Sequence, residues 1–358
     1  MVANRRDAPS NTGETSDSMP TPTRSRLIRL LILAIVLALS AWYVLRNIDW
    51  DRLGESLLAM NGTWVVAGTL ATLAAHLVRA WRWRLLIPDG HEISLWNSFS
   101  ATIIGYFMNN LIPRSGELVR PWALARSQKR TTSEMLATIV VERILDGLTL
   151  PLLLLFLLLA QSDRFGQVFS AYSPRSVMLA VILPVAIALV LAGIVLRTAA
   201  GDRIVAWIED RLPRRFHGRL RSMVENFRRG LAAAGSGGGW KIAASTLLIW
   251  IGYAGAIACG FVAFDLGTVA GMTASDALSV LAITSIGITI APTPGAFGVY
   301  HFFCKEALTR LYGVPDERAV AFALVTHAAP YLAVTALGAI LLVRENISLR
   351  EVQTSKPR

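Results

Sequence analysis

Residues 99–120 read FSATIIGYFMNNLIPRSGELVR: an apolar run passes directly into two asparagines, a proline, a glycine and three charges. In a soluble protein such a change marks an exposed turn. The rest of the chain excludes that setting. Of its 358 residues 54% are hydrophobic and only 16% charged, whereas a globular chain carries roughly 25% charged residues. Apolar runs at 30–45, 136–160, 176–196, 242–264 and 319–343 reach or approach the ~20 residues that cross a bilayer. The expected fold class is an all-α polytopic membrane protein.

The net charge of +11 gathers in particular loops, which is the positive-inside pattern and not a nucleic-acid footprint. Residues 1–25 are polar and rich in Ser, Thr and Pro, the composition of a disordered tail. ALSA (38–41) offers small residues for signal-peptide cleavage, but the run before it serves better as a retained span. Cys259 and Cys304 lie far apart in apolar stretches and are expected as buried thiols.

Arg24, Arg26 and Arg29 precede the first span and put the N terminus in the cytoplasm. A second span, about 63–80, returns to the basic RAWRWR (79–84). If 97–112 then crossed outward, Arg114, Arg120, Arg126, Lys129 and Arg130 would all lie outside. A re-entrant hairpin removes the conflict: 97–112 dips in, turns near Pro113–Gly116 and returns over 117–127. The runs 136–160, 176–196, 242–264 and 319–343 then alternate, with Arg344, Arg350, Lys356 and Arg358 inside. Residues 276–312 must begin and end outside, so they form a second hairpin turning at APTPGAFGVY (291–300).

LIPRSGELV (111–119) also lies over IAPTPGAFG (290–298), with Pro113 on Pro292 and Gly116 on Gly295. The order span, span, hairpin, span thus occurs twice in opposite orientation, as in transporters built from inverted repeats. The expected organisation has a tail over 1–25, repeats over 26–160 and 176–345, and a cytoplasmic tail over 346–358. It has six full spans and two hairpins, counted as about eight transmembrane segments.

Charges at the hairpin tip need partners, because each costs roughly 2.5–3.5 kcal/mol on insertion scales. Glu142, Arg143 and Asp146 in the next span supply them. Arg114, Arg120 and Arg143 then meet Glu117, Glu142 and Asp146. Either this set is a neutral lock between hairpin and span, or the arginines, with Asn109 and Asn110, also bind an anionic headgroup in bidentate fashion. The second hairpin offers Pro294, Gly295 and Gly298 at its tip, with Tyr300, His301, His327 and Tyr331 nearby. Its histidines suit buried polar packing as readily as ligand binding.

NNLIPRSGELVRPWALAR, followed by SEMLATIVVERILDGL (133–148) and later by PTPGAFGVY, resembles the lysylphosphatidylglycerol synthetase transmembrane-domain family, also called the flippase-like family. The resemblance covers about residues 25–345. It rests on Asn110, Pro113, Arg114, Gly116, Glu117, Arg120, Glu142, Arg143 and Asp146. Where the family has a glutamate in the second hairpin and an arginine in the last span, this chain has His301 and His327. The resemblance implies movement of a lipid, or support of lipid modification, in a bacterial cytoplasmic membrane. Members fused to a soluble aminoacyltransferase domain make aminoacylated phosphatidylglycerol; about fifteen residues follow the last span here, too few for such a domain.

The loop 197–240 alternates an apolar stripe (Ile204, Ile208, Leu212, Phe216, Leu220) with arginines at 203, 211, 214, 215, 219, 221, 228 and 229. It serves either as an interfacial helix favouring anionic lipid or as a topology determinant. GSGGGWK (235–241) lacks the Walker pattern and a preceding strand. No cofactor or metal is expected, since no His-Glu-x-x-His occurs. The leading expectation is a lipid flippase or headgroup transporter, not an enzyme, that binds an anionic phospholipid or polyprenyl-phosphate lipid. The alternatives are a membrane accessory of a lipid-modifying transferase and a scaffold for such enzymes.

Overall fold

The computed structural model describes residues 24–87, 89–161, 198–211 and 239–347, with residues 183, 221, 225 and 351 singly. The expected tail 1–25, the expected span 176–196 and most of the basic loop and C-terminal tail lie outside the described residues. All regular structure among the described residues is helical. In chain order the helices are α1 (Arg24–Leu45), α2 (Trp50–Leu58), α3 (Gly62–Leu86), α4 (Leu95–Leu111), α5 (Gly116–Gln128) and α6 (Thr132–Ala160). They continue with α7 (Ala199–Glu209), α8 (Gly239–Ala263), α9 (Leu266–Ala270), α10 (Asp276–Ile290), α11 (Val299–Tyr312) and α12 (Asp316–Arg344).

Local chemistry sets the boundaries. Asn61, Ser94 and Thr131 cap α3, α4 and α6, each accepting a backbone N–H with its side-chain oxygen at 3.0, 3.1 and 3.3 Å. Lys129 and Gly313, both left-handed, end α5 and α11. Four helices, α3, α6, α8 and α12, are long and apolar enough to cross a membrane. This is a multi-pass membrane protein. Leu70, Leu247, Phe156 and Ile340 point outward from these helices, as hydrocarbon-facing residues do.

Contacts between chain ends sort the loops onto two faces. Arg130 reaches Glu92, Arg126 donates to the Asn346 carbonyl, and Ser100 reaches Glu345, so one face holds 89–94, 126–134 and 344–347. Asn61 N–H donates to the Ala263 carbonyl, Tyr43 donates to Glu306, and Lys305 pairs with Asp316 at 2.8 Å, which gathers 43–61, 263–276 and 305–316 at the other face. The limbs α4 and α5 both have their outer ends on the first face, and α10 and α11 on the second. Exposed tryptophans sit at both levels, Trp42, Trp50 and Trp64 near one face and Trp96 and Trp240 near the other, as interfacial anchors do.

Glycines close both hairpins. A Cβ on Gly116 would stand 2.0 Å from the Gly105 carbonyl oxygen, and one on Gly287 2.1 Å from the Phe303 ring. Only glycine permits such an approach of the limbs. The apolar core divides accordingly. Phe261, Phe264, Phe322 and Leu308 pack towards the second face, and Trp83, Ile103, Ile104, Leu124 and Met135 towards the first.

Candidate functional site

α3 runs six residues past its expected end near 80, to Leu86, and this changes the site. Arg79 and Arg82, expected as part of a basic cytoplasmic flank, are buried inside the protein. They project onto α6, where Glu142 and Asp146 stand one turn apart. Arg79 Nη1 donates to Glu142 Oε1 and Asp146 Oδ2, each at 2.7 Å. Arg82 donates to Asp146 Oδ1 at 2.6 Å and to Thr246 Oγ1 of α8 at 3.0 Å. Arg120 of α5 donates to Glu142 Oε1 at 3.0 Å, and its guanidinium lies 4.0 Å over the Trp83 ring. Trp83 is fixed by donation to Thr138 Oγ1 at 2.7 Å.

Three buried arginines thus face two carboxylates. The expected balance of three cations and three anions is replaced by a set with one positive charge in excess. Arg120 Nε and Nη2, the Nε atoms of Arg79 and Arg82, and Glu142 Oε2 are buried without a hydrogen-bond partner among the described residues.

The remaining expected members form a second, outer group. Arg143 lies 3.8 Å from Glu117, 3.7 Å from Asp146 and 4.0 Å from Glu142, and its side chain is 45% exposed. Arg114 does not join the buried set. It occupies the turn with φ +60°, is exposed, and directs Nη2 to the Thr289 carbonyl of α10 at 3.4 Å. Arg114, Glu117 and Arg143 line an open groove of about 510 Å³ between α5 and α6, whose walls are Leu118, Leu136, Ile139, Val140 and Ile144.

Asn109 and Asn110 are engaged within the protein. Asn109 Oδ1 accepts from Gly116 N–H at 2.7 Å, holding the start of α5, and Asn110 donates to Thr335 of α12 at 2.9 Å. At the second hairpin, Gly295 and Gly298 adopt φ +56° and +77°, with Pro294 between them and α10. His327 Nε2 donates to the Gly295 carbonyl at 2.8 Å, and Gly298 N–H donates to His301 Nδ1 at 3.3 Å. The two imidazoles lie 4.8 Å apart, with Tyr300 stacked on His327 at 4.9 Å and Phe297 against Tyr331 at 4.9 Å. Among the described residues no cluster suited to a metal ion occurs. Cys304 is buried and Cys259 partly so, both as free thiols.

A helical multi-pass membrane protein with two hairpins meeting tip to tip, and a buried arginine–carboxylate cluster beside them, is the class these features define. The chain belongs to the family described as the lysylphosphatidylglycerol synthase TM region, whose profile matches residues 26–338. A UPF0104 membrane protein of Methanocaldococcus jannaschii is 25% identical over 128 residues, 35% of this chain and 37% of that protein. The match thus spans little more than a third of that relative's length. No solved structure matches the chain.

Proposed function

We propose that the protein carries anionic lipids, a phospholipid or a polyprenyl-phosphate lipid, across the cell membrane, and that it acts as a transporter and not as an enzyme. The observation that carries this reading is the groove between α5 and α6. Its mouth holds Arg114 and Arg143, and its walls are apolar and open, which suits a phosphate with its acyl chains alongside. Guanidinium forks match phosphate oxygens in pairs. The Arg143–Glu117 contact at 3.8 Å is loose enough for a phosphate to displace. The extra positive charge of the buried cluster, reached through Arg143, favours an anion at the same place.

An inverted repeat accords with the helix pairings among the described residues. α3 packs on α4 as α8 packs on α10, α5 on α6 as α11 on α12, and α4 meets α12 as α10 meets α6. A cytoplasmic setting for the face bearing Arg84, Arg126, Lys129, Arg130 and Arg344 accords with the positive-inside rule, since Arg24, Arg26 and Arg29 at the start of α1 add to it, against Arg46, Arg52, Arg310 and Arg318 at the other face. Both termini are cytoplasmic in this orientation. The family's description as a region of a synthase favours a second reading, in which the same groove hands lipid to a lipid-modifying enzyme.

Reconstitution into liposomes holding a fluorescent anionic phospholipid separates the two. Exchange of the label between leaflets by the protein alone supports transport. No exchange, together with lipid binding at the groove, favours the accessory role.

A further inference from the structure

A second recess lies away from the groove, bounded by α3, α8, α10, α11 and α12, with a volume of about 280 Å³. Trp64, Gly68 and Thr72 of α3 line it at one-turn intervals, as Leu281, Ser285 and Ile288 of α10 do. It therefore extends along these helices for two turns, about 11 Å. Its surface is almost wholly apolar, and none of the described residues that line it is Asp, Glu, Lys or Arg. The wall threonines spend their protons inside the helices. Thr69, Thr72, Thr284 and Thr326 each donate to a carbonyl four residues back, at 2.9, 3.0, 2.8 and 2.7 Å. Tyr253 and Tyr300 are engaged likewise, with His76 Nδ1 and Thr326 Oγ1, each at 3.2 Å.

The place of the recess in the chain accounts for the space. Counted from the first residues of α6 and α12, Glu142, Arg143 and Asp146 correspond to Thr326, His327 and Pro330. Counted from the first residues of α3 and α8, Arg79 corresponds to Ala256. All four counterparts line the recess. Where the first half of the chain is filled by paired charges, the second half carries shorter, uncharged or neutral side chains and leaves room.

We infer that this recess seats one hydrocarbon chain of a membrane lipid. An ordered water needs two to four polar partners, and the wall's threonine and tyrosine hydroxyls are already used. Left empty, the space would deprive its lining of van der Waals contacts. A phosphate, an ammonium or a sugar would lose its hydration without recovering hydrogen bonds. A chain of methylenes carries neither cost. It is long and narrow, as the recess is, and it is the material that surrounds the four crossing helices. The inference requires only that the protein lies in a membrane; it rests neither on the transport reading nor on the phosphate groove.

The test uses the full chain in phosphatidylcholine nanodiscs doped with a photoreactive phosphatidylcholine, its diazirine placed either at mid-chain or on the headgroup. After illumination, peptide mass spectrometry locates the adducts. The mid-chain probe is expected to mark Leu70 and Ile251, which are exposed on the outer surface of α3 and α8, and also Ile257 or Leu281, which are buried in the recess wall. The headgroup probe is expected to mark neither Ile257 nor Leu281. Ala256→Leu/Ala329→Leu, which narrows the recess, is expected to abolish the adducts at Ile257 and Leu281 and to leave those at Leu70 unchanged. Adducts confined to the outward residues overturn the inference. So do recess adducts that survive the double variant, or that the headgroup probe gives as strongly. If the variant fails to fold, the comparison of the two probes on the unmodified protein decides. Phosphatidylcholine has no net charge, so failure of the phosphate groove leaves this outcome intact, and the reverse holds as well.

Discussion

Arg79 Nη1 donates to Glu142 Oε1 at 2.7 Å across a sequence separation of 63, tying α3 to α6 through a carboxylate that is 0% exposed. Removing one partner from such a pair costs about 3–5 kcal/mol, because the other charge stays buried. Arg79→Met is therefore expected to lower the yield of monodisperse protein sharply. Glu142 keeps Arg82 and Arg120 in Arg79→Met, whereas Glu142→Gln leaves Arg120 buried without a carboxylate. Glu142→Gln is therefore expected to lower the yield further. Arg79→Met added to Glu142→Gln is expected to cost less than Arg79→Met costs alone. Size-exclusion profiles and unfolding midpoints of the two single variants and the double variant check the coupling. Simple additivity of the two changes contradicts it.

Gly116 and Gly105 bring the limbs of the first hairpin into backbone contact. In Gly116→Ala the new methyl would meet the Gly105 carbonyl oxygen at 2.0 Å, so the limbs must separate. Overpacking of this kind costs typically 1–3 kcal/mol. Gly147→Ala in α6 is the matched control, with nothing within 4 Å of the new Cβ, and is expected to gain up to about 1 kcal/mol from helix propensity. Thermal unfolding of both variants gives opposite signs if the glycine contact closes the hairpin.

The helix breaks are legible because proline, glycine and charge interrupt apolar runs at Pro113–Gly116 and Pro292–Gly295. The partners of Glu142 were only partly legible. Arg120 is one helix away and was anticipated, but Arg79 and Arg82 stand near the end of a span, where arginine ordinarily flanks the membrane. The sign that they are buried lies in their company: Trp83 between them and Arg84 is itself wholly buried, so α3 continues as a packed helix. Arg114 was expected among the buried charges and instead faces the groove. Its left-handed turn conformation aims the side chain away from Glu142, and no pattern of residue types encodes that direction.

Arg114 is exposed, so Arg114→Gln is expected to change stability by no more than about 0.5 kcal/mol. Its loss from the groove mouth is expected to slow lipid exchange all the same. Unfolding midpoints and leaflet-exchange rates measured on one preparation separate the two effects. A fall in stability equal to that of Arg79→Met would mean that Arg114 belongs to the structural lock.

Orientation is open to a direct check. In a Cys259→Ala/Cys304→Ala background, Arg318→Cys is expected to react with an impermeant maleimide added outside intact cells. Arg130→Cys is expected to react only in inverted vesicles. Labelling of position 130 from outside would make α4 a complete crossing and remove the inverted repeat.

The phosphate groove is tested most directly by the unfolding midpoint of the purified protein in phosphatidylglycerol and in phosphatidylcholine of matched chains. A bound lipid stabilises by RT ln(1 + [L]/Kd), about 2.7 kcal/mol at a hundredfold excess over Kd. Phosphatidylglycerol is expected to raise the midpoint well above phosphatidylcholine, and Arg143→Gln to erase the difference while the protein remains folded. Equal midpoints in the two lipids, or a difference untouched by Arg143→Gln, would contradict a phosphate site between α5 and α6.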